Sequence, residues 1–75
     1  MFEKIKGMLV SELGIDGNAV TPDAKLRGQL GISSVEFVDI AMTIEDDFGI
    51  ELSEDKLRKC KTVQDLVDYV DSLVK

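Results

Sequence analysis

Between Ile32 and Gly49 the sequence specifies one helix from start to stop, and a chain this short must fold around it. Ser33 followed by Glu36 is a capping box, with Ser33 at the N-cap and Glu36 at N3. Ile32 at N′ and Phe37 at N4 are spaced for a hydrophobic staple. The helix is expected over Ser34–Phe48, and Gly49 supplies the stop. Phe37, Ile40, Ala41, Ile44 and Phe48 form an apolar stripe for a core. Val35, Val38 and Met42 fall outside that stripe and lie among acids. They fit either a contact surface, for which Met is suited, or a helix covered on two sides by a loop.

With 75 residues the chain reads as one domain, 1–75, whose small core stabilises only marginally, so its elements should be simple. A first helix is expected from about Phe2 to Leu13, where Phe2, Ile5, Leu9 and Leu13 recur on one face; Gly14 and Asp16-Gly17-Asn18 end it. A long connection then runs from Gly14 to Ile32. In it, Thr21-Pro22-Asp23 reads as the start of a helical turn, with Thr as cap and Pro at the first position. Leu26, Leu30 and Ile32 should pin this loop to the core, and a loop of such length is often functional. A short third helix is expected over Glu54–Lys59 with Ser53 as cap. The last helix should start at the Thr62-Val63-Gln64-Asp65 cap and run to about Val74, with Val63, Leu66, Val67, Val70, Leu73 and Val74 facing inward. Ile50-Glu51-Leu52 is too short to found a sheet. The expected fold is all-α: a small four-helix bundle, three longer helices and one short, with a long loop between helices 1 and 2.

Charge and composition remove many function classes. The net charge is -6, and from Gly28 to Asp55 there are eight acids and no Lys or Arg. Such a surface repels nucleic acid and anionic membranes and attracts basic proteins, although a solvated acidic face would look the same. No apolar run approaches membrane-spanning length, and the N-terminal segment is amphipathic rather than a signal sequence. A cytoplasmic monomer without membrane insertion is expected. The chain has no His, which removes Ser-His-Asp catalysis and His-ligated zinc. Windows from Glu12 and from Ile44 both lack ligands that a calcium loop requires. Neither a glycine-rich phosphate loop nor interleaved basic and aromatic residues are present. Cys60 is the one cysteine; flanking Arg58, Lys59 and Lys61 would lower its pKa if it were exposed, but its position suits a partly buried residue. Neither a catalytic residue nor a metal site is expected.

What remains is the serine pair. With Ser33 occupied as the N-cap, Ser34 falls at N1 with its Oγ towards solvent, where free N–H groups and the helix dipole favour a bound or attached phosphate. By position alone, both serines also fit the plainer role of starting a helix.

Leu30-Gly31-Ile32-Ser33-Ser34-Val35, then Val38, Met42 and Ile44-Glu45-Asp46-Asp47-Phe48-Gly49-Ile50-Glu51-Leu52, resembles the acyl carrier protein family. Its usual pattern is L-G-x-D-S-L followed by an acidic helix ending in E-E-x-F-x-I-x-I. The likeness covers nearly the whole chain, including the long first loop, the short third helix and the closing Thr62-Val63 segment. The resemblance implies a carrier and not an enzyme. Ser34 would receive 4′-phosphopantetheine from coenzyme A, and the thiol of that group, not Cys60, would carry acyl units as thioesters for fatty-acid, lipid or polyketide-type biosynthesis. Acyl chains would tuck between the helices. A phosphopantetheinyl transferase and acyl-processing enzymes would dock through basic patches onto Glu36, Asp39, Glu45 and Asp46, with Val35, Val38 and Met42 as apolar contacts. An aminoacyl carrier or an unmodified, partner-binding module are the alternatives. This chain departs from the pattern at Ser33 and Gln29, where acids are usual, and Arg27 adds a positive charge. A dedicated carrier rather than a housekeeping one fits those departures.

Overall fold

A computed structural model describes residues 1–74. Four helices follow in order: α1, Phe2–Leu13; α2, Ser34–Phe48; α3, Glu54–Lys59; and α4, Val63–Leu73. No strand forms among the described residues, and the expected all-α bundle is the fold observed.

The helix ends are where the sequence places them. α2 begins with both halves of the capping box: Glu36 N–H donates to Ser33 Oγ at 3.2 Å and Ser33 N–H donates to Glu36 Oε1 at 3.0 Å. α4 repeats the device with Thr62 and Asp65. α2 stops at Gly49, whose φ of 65° is open to glycine without strain. Ser53 occupies the N-cap position of α3 as expected, but its hydroxyl makes no capping bond; its N–H instead donates to Tyr69 Oη on α4 at 2.7 Å.

The core gathers Ile5, Met8 and Leu9 of α1, Ile40 and Ile44 of α2, and Val63, Leu66, Val67 and Val70 of α4. Phe2, Leu13, Phe37 and Phe48 lie half-buried against it. The inward expectation for Leu73 and Val74 fails. They are 40% and 37% exposed, because the apolar stripe of α4 runs past the last residues that could cover it.

The long connection is tied down more heavily than its three anticipated anchors imply. Leu26 and Ile32 are buried and Leu30 half-buried, but Val20 and Ala24 are buried as well. Gly17–Ala19 form one 3-10 turn, started by Asp16 accepting from Asn18 N–H. The helical turn expected at Thr21-Pro22-Asp23 is instead a tight turn, closed by Ala24 N–H donating to the Thr21 carbonyl at 3.1 Å. A helix cannot continue there because the loop carbonyls are already in use. Pro22 and Ala24 accept from Gln64 and Val63 N–H at 2.8 and 3.0 Å, which are first-turn donors of α4 with no partner inside their own helix. Leu26 N–H returns a bond to the Lys61 carbonyl at 2.9 Å, and Lys25 pairs with Thr62 as an isolated bridge. The loop therefore caps α4 and lies beside the segment that follows α3.

Candidate functional site at the start of α2

The position of Ser34 follows from three local facts. Gly31 takes φ 66°, which turns the chain so that Ile32 is buried while the next residues reach the surface. Ser33 Oγ is committed to Glu36 N–H. Ser34 is then the first residue of α2, and it is exposed.

The structure adds a partner that local patterning does not reveal. The Arg27 guanidinium donates from Nη2 to Ser34 Oγ. A permanent positive charge thus stands beside that oxygen, in addition to the free N–H groups of the helix start. The turn carrying Arg27 is held by Gln29, whose Oε1 accepts from Lys25 N–H at 2.9 Å, while Gln29 and Leu30 N–H both donate to the Lys25 carbonyl. Gln29, noted above as a departure from an acid, therefore shapes the loop that presents Arg27.

Two clefts meet at Ser34. The larger, about 610 Å³, is lined by Leu26, Phe37 and Leu57, with Lys25, Arg27 and Lys61 among its charged walls. The smaller, about 350 Å³, runs along α2 past Val38, Ala41 and Met42 to Leu52. Both are open to an attachment on Ser34 Oγ. An exposed oxygen, a cation beside it and apolar space on either side fit a phosphate-linked arm.

The seven other residues singled out on α2 divide by what their side chains already do. Val35, Val38 and Met42 are 72%, 56% and 56% exposed and belong to the outer face of the helix. Asp39 and Asp46 are exposed as well. Glu36 is half-buried and closes the capping box. Glu45 is also half-buried; its Oε2 accepts from Leu52 N–H at 2.8 Å and fixes the turn after α2. These two carboxylates hold the backbone as well as presenting charge.

Cys60 is half-buried on the wall of the larger cleft. Burial pushes its thiol pKa up, and the negative charge of Asp65 pushes it further, so it rests protonated and is a poor nucleophile. Its neighbouring cations do not reverse that. Asp65 goes the other way: backbone N–H groups of Lys61 and Thr62 donate to it and hold its carboxyl below the usual range. Among the described residues no cluster of His, Cys, Asp and Glu could hold a metal ion, and no helix is long and apolar enough to cross a membrane.

Residues 3–70 match the family model described as a phosphopantetheine attachment site.

Proposed function

The chain belongs to the phosphopantetheine attachment-site family, and from that premise we propose that Ser34 Oγ is the atom modified and that the protein is a dedicated acyl carrier. One observation carries the choice of residue. Of the two serines, Ser33 has its hydroxyl engaged by Glu36 N–H, whereas Ser34 at N1 is exposed beside Arg27.

The family's group, 4′-phosphopantetheine, is covalent and supplies a thiol that holds acyl units as thioesters. This chain's residues position it. On attachment, Ser34 oxygen forms the new P–O bond, the bond from that phosphorus to the adenosine-phosphate half of coenzyme A breaks, and the hydroxyl proton passes to a base on the transferase. The start of α2 and Arg27 then face the phosphodiester charge. Chemistry on the cargo falls to partner enzymes, as is typical of carriers in this family. Asp39, Asp46 and the outward parts of Glu36 and Glu45 offer those partners a negative surface around Val35, Val38 and Met42. A cytoplasmic monomer acting in fatty-acid, lipid or polyketide-type synthesis is the setting that suits this surface.

The test is intact mass after incubation with coenzyme A, Mg²⁺ and a broad-specificity phosphopantetheinyl transferase. A gain of one phosphopantetheine that survives Ser33→Ala and vanishes in Ser34→Ala is expected. Modification that follows Ser33 would overturn the assignment. No gain with any transferase, including those of the source organism, would favour an unmodified, partner-binding module.

A further inference from the structure

We propose that the larger cleft beside Ser34 receives the far end of the cargo when that end is anionic, so that this carrier is adapted to acyl groups bearing a terminal carboxylate. This rests on the carrier reading and specifies its substrate class.

The two clefts share Arg27, Ser34, Phe37, Leu57 and Arg58, and so diverge from the point of attachment. They differ in charge. Lys25, Arg27, Arg58 and Lys61 line the larger one, and no acid does, in a chain where acids outnumber bases 15 to 9. The smaller one carries Glu45 and Glu54. A group anchored at Ser34 therefore has one path whose charged walls are all cationic and one in which two acids offset Arg27 and Arg58.

Lys25 and Lys61 lie on the part of the larger cleft that the smaller does not share. The fold holds them together: Lys25 bridges Thr62, and Leu26 N–H donates to the Lys61 carbonyl. Neither ammonium pairs with a carboxylate among the described residues, where the one ion pair is Arg58–Glu54. Asp65 aims its Oδ2 at the backbone N–H groups of Lys61 and Thr62. Leu26, Phe37 and Leu57 provide apolar wall to the same cleft. At about 610 Å³ the space is in the range that holds small ligands. Methylenes against the wall and a carboxylate at the lysines match it, and an uncharged or cationic end does not.

The experiment loads the full chain from adipoyl-coenzyme A and, separately, from hexanoyl-coenzyme A, which differ in the terminal carboxylate. Intact mass verifies each product. The readouts are backbone amide shifts at Leu26, Leu57 and Lys61, and the rate of thioester cleavage by hydroxylamine. The adipoyl form should shift those amides and be cleaved about three- to fivefold more slowly than the hexanoyl form, the range for a partly exposed ion pair. Lys25→Gln/Lys61→Gln, both at exposed positions, should abolish the difference. Lys4→Gln/Lys6→Gln, which removes equal charge away from both clefts, should preserve it. Equal cleavage of the two cargoes, or a difference that survives loss of Lys25 and Lys61, overturns the proposal and leaves the carrier reading intact. Absence of any mass gain at Ser34 overturns both.

Discussion

A serine at an N-cap and a serine at N1 meet different neighbours, and this difference separates Ser33 from Ser34. The N-cap hydroxyl accepts from the backbone three residues on, so Ser33→Ala should lower stability by about 1 kcal/mol in urea unfolding. Ser34 has no such duty, and Ser34→Ala should unfold within error of the parent protein while losing all modification. A loss of stability in the second variant comparable to the first would mean that the two serines share the cap. That much is readable from a six-residue stretch. Arg27 is not. It lies seven residues before Ser34, and only the closed turn built on Lys25 and Gln29 brings its guanidinium to that hydroxyl.

At the scale of elements, glycines and caps allow tests that separate backbone conformation from packing. Gly7 and Gly31 both have open space where a Cβ would go. Gly7 is helical, so Gly7→Ala should stabilise α1 by about 0.5–1 kcal/mol. Gly31 sits at φ 66°, so Gly31→Ala should cost about 1–2 kcal/mol. Paired denaturation curves read both, and shifts of the same sign would refute the conformational argument. The α4 cap adds a pH dependence. Asp65 has its folded pKa lowered by backbone donors, so its contribution to stability is complete above the unfolded value, about 3.9, and is lost as pH falls through the lowered folded value. Thermal unfolding of the parent should therefore fall more steeply on acidification below about pH 4 than that of Asp65→Asn. Parallel curves would show that the cap bonds are not charge-dependent. The loop from Gly14 to Ile32 is the element that resisted sequence reading. Its apolar anchors were visible, but its turn at Thr21–Ala24 is dictated by carbonyls that serve α4, far away in the chain.

For the whole molecule, the decisive feature is the separation of charge. Acids cover the outer side of α2 and the segment after it, while Lys25, Arg27, Arg58 and Lys61 gather around one cleft. Docking of basic partners on α2 should slow as ionic strength rises, because screening shortens to about 10 Å at 0.1 M salt. Stopped-flow association rates measured across a salt series check this, and rates indifferent to salt would remove α2 as the docking face. Asp39→Asn and Asp46→Asn should slow association without changing stability, since neither carboxylate makes a hydrogen bond within the described fold; Glu45→Ala should do both, since its carboxylate holds Leu52 N–H. By itself the sequence determined the four helices, the capping boxes of α2 and α4, the glycine stop of α2 and the commitment of Ser33 to its cap, because each depends on residues within a few positions of one another. Tertiary structure alone decided where the loop runs, that Arg27 reaches Ser34, that the cations of the loop and of the α3–α4 segment share a cleft, and that Leu73 and Val74 lie uncovered. Those outcomes depend on which distant backbone groups find each other, and the amphipathic spacing of a helix carries no record of that.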